Sequence, residues 1–443
     1  MFVLSALVVT LTSGILWALE VDWSRYRPED YDFGGATVHI RGGWIPYRVD
    51  TESGINMEDP RDRAYIELVQ EKFNVVLEFS NKSGLRSADE MAAGILAGEW
   101  PYDIIGTDSE WASIFLRNGF IKPIGDALNA FMNTEVWNHG LHPLYQNYRY
   151  LEYIDGETYM FFPFNAGHSD SLLTWNISLF ERDNLPNLYN LVEAGEWTWE
   201  TFTDIARRAK RDTTGDGVID QWGYGSRAAV PWAPHSWIVA NNGRALRVED
   251  GRMMFALDEP EAIEALTFLQ EIYNEGLTPP GNARTLALQG KVAMLEGWII
   301  HVDQFNREHP DDFGVVPLPR GPRASEHVTN GFNLLGLAIP TTSQHDPEAL
   351  IALTHAIYRV AETYGVDPIR QWDDIMHLPD RKTYDYLYNS FEIFKHTPYF
   401  KENYLPGYTE AMRNIIIRDQ SPAGEIASLK LASQTRLDEL FGQ

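Results

Sequence analysis

The chain has 443 residues and a net charge of −27, the difference between 36 basic and 63 acidic side chains. A surface this negative repels phosphate backbones, which argues against nucleic acid as a partner. The sequence contains no cysteine, which excludes disulfides, zinc–thiolate sites, cysteine nucleophiles and attachment to a lipid through a cysteine. Its length predicts two domains rather than a single core.

Residues 1–19 form an apolar run that is interrupted only by Ser, Thr and Gly. This composition predicts a secretory signal peptide or its remnant. A membrane span is disfavoured because Thr12, Ser13 and Gly14 break the run. We therefore expect an exported protein, either periplasmic or associated with the cell surface from outside. The missing cysteine favours the periplasm or a tether of another kind.

The first third of the chain alternates strands and helices. Short β-branched and apolar runs predict strands, and apolar residues at helical spacing predict helices. Ser87 and Glu90 form a capping box that opens one of these helices. Strand–helix–strand succession at this pitch is typical of a parallel sheet with crossover helices. The predicted strands span 37–40, 75–79 and 103–106, and the predicted helices span 60–73, 87–96 and 110–117.

The rest of the chain is richer in helix. Capping residues and apolar spacing predict helices over 198–211, 260–275 and 347–360, and apolar runs predict strands over 313–317 and 334–339. Beyond Val366 the pattern predicts mostly helices. Because no long linker separates these segments, we expect two domains between which the chain passes more than once.

The loop at 212–220 has a recognisable chemistry. Oxygen donors at calcium-loop positions 1, 3, 5, 7 and 9 are supplied by Asp212, Thr214, Asp216, Val218 and Asp220. These residues predict a structural Ca²⁺ site, in which Val218 contributes its carbonyl oxygen. Position 12 is Gly223, where an EF-hand has a bidentate glutamate, so the site is incomplete. The alternative is an Asx-type turn without a metal.

Common catalytic motifs are missing from the sequence. It contains no Gly-x-Ser-x-Gly elbow, His-Glu-x-x-His pair, Walker loop or Gly-x-Gly-x-x-Gly after a strand. Acidic residues are so frequent that a glycosidase carboxylate pair could be drawn almost anywhere, which makes such a pair uninformative. The sequence favours a protein that is not an enzyme, and it predicts no organic cofactor.

Several longer phrases occur in a fixed order along the chain. They are LAGEWPYD (96–103), GFIKPI (119–124), GETYMFFP (156–163), LTWN (173–176), GEWTW (195–199), GKVAM (290–294) and GVVPLP (314–319). In this order they resemble the family 1 extracellular solute-binding proteins of sugar ABC transporters, the maltose-binding type. The resemblance runs from about residue 35 to the C-terminus.

The resemblance implies an α/β fold of two intertwined lobes joined by a hinge. It places 35–160 and 299–340 in the N-terminal lobe, and 161–298 and 341–443 in the C-terminal lobe. The implied function is capture of a carbohydrate, more specifically an oligosaccharide, in the cleft between the lobes. Membrane permease subunits of an ABC importer would be the partners of a monomeric receptor that closes around its ligand.

In the N-terminal lobe the resemblance implies ligand contacts at Trp44, Asp108, Trp111 and Asn333. Three of them have a structural alternative. Trp44 could pack on the lobe surface, Asp108 could cap the following helix, and Asn333 could satisfy backbone groups.

In the C-terminal lobe the implied contacts are Asp170, Trp232, His235, Glu296 and Trp298. Asp170 could instead be a solvated loop carboxylate. Trp175 and Trp237 are expected in the core. Indole rings cover the apolar face of a pyranose, and carboxylate or amide groups bond its hydroxyls, so this residue set suits carbohydrate. Two alternatives remain: a secreted glycoside-active enzyme, or the same fold binding a peptide or another small solute.

Overall fold

A computed structural model gives the fold of the chain. The residues that it describes are 23, 28–42, 60–80, 85, 87–132, 150–152, 158–161, 172–226, 233–250, 252–297, 300–330, 335–357, 378–388, 395–397 and 405–441.

Strands of the described residues, numbered along the chain, are β1 Ala36–Arg41, β2 Val75–Ser80, β3 Ile104–Asp108, β4 Tyr150–Glu152, β5 Thr158–Phe161, β6 Leu172–Asn176, β7 Trp222–Ser226, β8 Leu246–Glu249, β9 Arg252–Phe255, β10 Val292–Glu296, β11 Phe313–Pro317, β12 Val328–Asn330, β13 Leu335–Ala338 and β14 Lys395–Thr397.

Helices are α1 Pro60–Phe73, α2 Ala88–Ala97, α3 Ser109–Arg117, α4 Gly125–Met132, α5 Ile177–Arg182, α6 Leu188–Glu193, α7 Trp199–Ala209, α8 Ala233–Ala240, α9 Pro260–Asn274, α10 Ala283–Ala287, α11 Ile300–Glu308, α12 Pro347–Ile357, α13 Arg381–Tyr388, α14 Tyr408–Ile416 and α15 Pro422–Phe441.

The first compact unit comprises Met1–Ala166 and Leu334–Ile375. Its sheet has the strand order β2-β1-β3-β13-β5-β4. β1 pairs in parallel with β2 and β3, whereas β13 runs antiparallel to β3 and β5. This confirms the predicted parallel β–α–β succession at the start of the chain.

Both faces of this first sheet are covered. Ile104 and Leu337 belong to one apolar cluster, while their chain neighbours Ile105 and Ala338 belong to another. Successive side chains of a strand point to opposite faces, so helices must pack on each side. The carboxyl ends of β1 and β3 are thereby left at one edge of a three-layer unit.

The second compact unit comprises Gly167–Asn333 and Met376–Gln443. Its main sheet has the order β11-β6-β10-β7. β10 pairs in parallel with β7, and β6 runs antiparallel to both β10 and β11. The chain thus passes between two α/β units more than once, as the sequence predicts.

The boundaries of the two units differ from those expected from the sequence. Residues 299–333 lie in the second unit because β11 pairs with β6 from Phe313↔Asn176 to Pro317↔Leu172. Residues 341–375 lie in the first unit, where Leu350 and Leu353 of α12 join the core cluster of β1.

Helix starts agree with the capping signals of the sequence. The Ser87 hydroxyl accepts a hydrogen bond from the Glu90 N–H at 3.1 Å, and the Thr198 hydroxyl accepts one from the Thr201 N–H at 3.4 Å. Each bond satisfies one of the backbone donors that a helix leaves free at its start. No helix of the described part of the chain is long and apolar enough to cross a membrane.

Candidate functional site

Two parallel strands of the second sheet end side by side. In the β7–β10 ladder Met294 lies beside Tyr224 and Glu296 beside Ser226. The antiparallel strand β6 begins at the same edge, with Leu173 opposite Glu296. In open α/β sheets, ligands bind beyond the carboxyl ends of parallel strands. This edge is therefore the candidate binding edge of the second unit.

Glu296 lies buried at this edge, with 5% of its surface exposed. Its Oε2 atom accepts a hydrogen bond from the Tyr224 hydroxyl at 2.5 Å and another from the Trp237 indole N–H at 3.1 Å. The same indole N–H lies 3.0 Å from the Tyr224 hydroxyl oxygen. Inside a low-dielectric interior such a closed network fixes all three side chains.

Aromatic rings surround this carboxyl group. The rings of Tyr224 and Trp237 meet edge to face, 5.6 Å apart at 89°. Phe202 lies 5.4 Å from Tyr224 and 5.0 Å from Trp237. Edge-to-face contacts of this kind add to the energy of burial. Trp237 is a core residue, as predicted, and so is Trp175, which is 1% exposed.

Burial raises the pKa of Glu296 to about 7, and hydrogen bonds from Tyr224, Ser236 and Trp237, with the charge of His235, act in the opposite direction. Burial also raises the pKa of Tyr224 well above its ordinary value, and the charge of Glu296 adds to this effect. Tyr224 therefore keeps its proton and donates a hydrogen bond to the Glu296 carboxyl group.

His235 lies in the first turn of α8 and is 4% exposed. The structure thus brings together two of the residues expected from the sequence, His235 and Glu296. The other three expected contacts of this lobe lie outside the described residues: Asp170, Trp232 and Trp298. Tyr224 and Ser236 could not be predicted as partners of Glu296 from the sequence, because their proximity depends on strand register and helix packing.

The equivalent edge of the first unit carries Asp108, the last residue of β3, which directly precedes α3. Leu335, at the start of β13, lies in register with Asp108. Trp111 is half-buried, and its ring lies 6.1 Å from that of Phe115. Trp111 therefore contributes to packing within this unit. Trp44 and Asn333 lie outside the described residues.

Arg41 ends β1 at the same edge and was not identified from the sequence. It is 5% exposed, and its guanidinium donates to the two carboxylate oxygens of Glu90 at 2.8 and 3.2 Å. The guanidinium carbon lies 5.9 Å from the ring centre of Trp100 and 5.6 Å from that of Tyr102. A delocalised cation on aromatic faces is a favourable contact that holds the edge of β1 in place.

The loop at 212–220 is closed by its own carboxylates. Asp212 accepts hydrogen bonds from the backbone N–H groups of Thr214, Gly215 and Gly217, at 2.6–3.1 Å. Asp220 accepts from the N–H and the hydroxyl of Thr213, both at 2.7 Å. These bonds lower the pKa of Asp212 and Asp220.

This arrangement matches the Asx-type turn that the sequence left open as the alternative to calcium. Within the described residues, no group of three or more His, Asp or Glu side chains is arranged to hold a metal ion. Since Asp212 and Asp220 are ionised and repel each other, their charges favour a cation, but their oxygens would have to turn towards it. The Ca²⁺ site therefore stays a prediction.

Gly223 stands where an EF-hand has its last ligand, and the structure gives the reason. Gly223 lies in β7, and a Cβ atom there would lie 2.1 Å from the Ala206 carbonyl oxygen in α7. No side chain fits at this position, so the loop cannot be completed as an EF-hand.

The chain is similar to known proteins in sequence pattern and in fold. The model of the family described as "bacterial extracellular solute-binding protein" matches residues 58–355. No curated protein matches the chain in sequence.

Among solved structures, the ABC substrate-binding protein Lmo0181 from Listeria monocytogenes, in complex with cycloalternan, matches with a TM-score of 0.61 at 15% identity, over 92% of this chain and 99% of that one. The maltose/maltodextrin-binding domain MalE from Bdellovibrio bacteriovorus, bound to maltotriose, matches with a TM-score of 0.59 at 14% identity, over 92% and 100%.

UgpB from Mycobacterium tuberculosis, in complex with glycerophosphocholine, matches with a TM-score of 0.61 at 19% identity, over 91% of this chain and 99% of that one. At these identities the similarities establish the two-unit α/β fold. Because the family model spans most of the sequence, the chain belongs to the family of bacterial extracellular solute-binding proteins.

Proposed function

We propose that this protein is the exported receptor of an ABC importer and that it captures a carbohydrate without changing it chemically. The observation that carries the proposal is its membership of the solute-binding family together with a fold similar to that of receptors solved with cycloalternan and maltotriose. The receptor would act as a monomer and hand its ligand to the membrane permease, from the periplasm or the outer face of the membrane.

The chemistry of the two strand edges supports a neutral polyhydroxyl ligand. Each edge carries a carboxyl residue at the end of a parallel strand, Asp108 in the first unit and Glu296 in the second. A net charge of −27 disfavours anionic ligands. Hydroxyl groups that leave water must recover their hydrogen bonds, at a cost of about 1–3 kcal/mol for each one left unpaired. Selectivity among ligands would then depend on the positions of the protein's polar groups relative to the ligand hydroxyls.

The residues proposed to contact the ligand are those expected from the sequence. The aromatic ones, Trp44, Trp232 and Trp298, would cover the faces of sugar rings. Asp170 and Asn333 would bond hydroxyl groups. Because Glu296 is enclosed by Tyr224 and Trp237, we propose that it influences ligand binding mainly by holding these two side chains in place at the candidate binding edge.

We also propose that the loop at 212–220 binds Ca²⁺ in a structural role. It follows α7 and leads into β7, whose carboxyl end forms the candidate edge. A cation among its carboxylates would fix this connection without contacting the ligand.

A thermal-shift and calorimetric screen of the purified protein tests the carbohydrate proposal. The panel contains maltotriose, cycloalternan, free sugars, amino acids, dipeptides and glycerophosphocholine. We expect saturable binding by at least one oligosaccharide and no turnover of it during overnight incubation. If peptides bind and every sugar is silent, the carbohydrate proposal is wrong; if the oligosaccharide is cleaved, the protein is an enzyme.

Glycerophosphocholine, whose cationic choline balances the negative charge of its phosphodiester, is the second candidate ligand. UgpB, solved with glycerophosphocholine, matches with a TM-score equal to that of the cycloalternan receptor and with a higher identity, 19% against 15%. The cationic choline group would also suit an acidic protein. Binding of glycerophosphocholine in the same screen, with no response to sugars, would favour this function.

A further inference from the structure

Glu296 is an acidic group enclosed in the apolar interior of the second unit. Within the described part of the chain, no lysine or arginine forms an ion pair with it. Its hydrogen-bond donors are neutral: the Tyr224 hydroxyl and the Trp237 indole at Oε2, and the Ser236 hydroxyl. An ionised carboxylate is costly in such surroundings, and a buried acid without a cationic partner tends to take up a proton instead.

Each element packed around Glu296 contributes few groups that could change its charge. The strands β7 and β6 place Ser226 and Leu173 beside it. From α8 the charge of His235 acts on it, and from α9 its charge acts on Tyr273. The guanidinium of Arg284, on the neighbouring helix α10, donates a hydrogen bond to the side-chain oxygen of Gln304. Of these described groups, His235 is the one whose charge acts on the carboxyl group against the effect of burial.

We propose that Glu296 is a proton-operated switch in the second unit: it holds a proton under mildly acidic conditions and, when it loses that proton, weakens the strand edge that it shares with Tyr224 and Trp237. This inference concerns the protein without ligand and does not depend on which solute it captures.

The direction of the effect follows from the two protonation equilibria. Burial raises the pKa of Glu296 in the folded protein to about 7, above the ordinary value of 4.5. Between these values the folded state binds the proton and the unfolded state does not. The stabilisation is therefore complete below about pH 4.5 and is lost as the pH rises through about 7.

The position of Glu296 connects the end of a strand to a helix of the second unit. It is the last residue of β10, and its partner Trp237 lies in α8, which begins shortly after β7. When the proton is lost, a negative charge appears in this apolar interior, and the hydrogen bonds from Tyr224, Ser236 and Trp237 offset only part of the cost of its desolvation. The end of β10 and its contact with α8 are therefore less stable in the deprotonated state.

Thermal unfolding of the ligand-free full chain at about pH 5 to about pH 8 tests the proposal, with wild type, Glu296→Gln and Glu271→Gln compared. The glutamine amide in Glu296→Gln mimics the protonated acid. Glu271, on the exposed side of α9, gives the same loss of charge at the surface. We expect the Tm of wild type and of Glu271→Gln to fall by roughly 3–10 °C more than that of Glu296→Gln over this range. Parallel curves for all three proteins would overturn the proposal.

A second variant keeps the test decisive if Glu296→Gln does not fold. Tyr224→Phe removes a hydroxyl that favours the charged carboxylate. The pH at which stability is lost should therefore move upwards in this variant, whereas a purely structural role of Tyr224 would lower Tm equally at every pH. An unchanged midpoint in Tyr224→Phe would contradict the proposal.

Discussion

Gly223 and Ala206 approach so closely that a Cβ atom added at Gly223 would lie 2.1 Å from the Ala206 carbonyl oxygen and 2.5 Å from its Cα atom. These atoms belong to the backbone of α7 and cannot rotate away. The contact fixes the distance between α7 and β7, and it thereby positions Tyr224, the next residue of β7, beneath Glu296.

We predict that Gly223→Ala destabilises the protein by roughly 2–3 kcal/mol, because overpacking against a backbone forces a helix and a strand apart. Gly424→Ala is the matched control. It lies in α15, where an added Cβ would meet nothing nearer than 3.6 Å, and alanine should favour the helix by about 0.5–1 kcal/mol. Urea denaturation measures both. If the urea midpoint of Gly223→Ala equals that of wild type, α7 and β7 can separate without loss of stability.

The half-buried side chain of His327 predicts a loss of stability in acid. Burial lowers its pKa to about 4, assisted by the charge of Arg320 and opposed by a hydrogen bond with the Leu318 carbonyl. The unfolded chain takes up this proton below about pH 6.5 but the folded protein does not, so stability falls as the pH drops from 6.5 to 4. Through His327 stability increases with pH, whereas through Glu296 it decreases with pH.

His327→Asn should reduce this acid sensitivity, because its amide keeps a donor for the Leu318 carbonyl, now 3.2 Å from the histidine Nδ1, and carries no titrating group. Urea midpoints measured at intervals from about pH 4 to about pH 7 give the comparison. The variant should match wild type at the upper end and exceed it at the lower end. A constant offset at every pH would contradict the prediction.

If the loop at 212–220 holds Ca²⁺, a chelator should lower Tm and added Ca²⁺ should restore it. Asp212→Asn separates this from the metal-free turn. An asparagine oxygen can still accept the N–H bonds that Thr214 and Gly215 donate to Oδ1 and loses only the one that Gly217 donates to Oδ2, so a metal-free turn should lose part of its stability but show no response to Ca²⁺ in either form. A metal site should instead lose its response to Ca²⁺. A Tm that is independent of chelator would leave the turn as a purely hydrogen-bonded structure.

For the ligand site, Trp298→Ala should weaken binding of the sugar identified in the screen by roughly tenfold, about 1.4 kcal/mol, with little change in Tm. Trp298→Phe keeps an aromatic face and should lose less. Isothermal titration calorimetry measures both affinities. If the alanine variant binds as tightly as wild type, Trp298 is not a ligand contact.

Local features of the fold could be predicted from the sequence. The helix at Pro60–Phe73 and the caps at Ser87 and Thr198 depend on residues within a few positions of each other, and the structure confirms them. The core positions of Trp175 and Trp237 were also predicted correctly. In this helix, and in the two caps of other helices, the determining interactions join residues that are close in sequence.

Long-range features could not be predicted in the same way. The strand at Phe313–Pro317 was predicted, but apolar periodicity does not tell which strand it pairs with, and its partner β6 places it in the second unit. The network of Tyr224, Trp237 and Glu296 joins residues up to 72 positions apart. It arises from the register of β7 and β10 and from the packing of α8, neither of which is encoded in a local motif.

The place of β13 in the first sheet sets the order in which the protein can fold. Leu337 faces Gly106 on one side and Phe161 on the other, so β13 is the strand that joins β3 to β5. Until residue 338 has been synthesised, β3 has a bare edge and the hairpin of β4 and β5 has no sheet to join. The first unit therefore cannot be finished before all four strands of the main sheet of the second have been made. A nascent chain must carry the bare edge of β3 throughout the synthesis of residues 109–338.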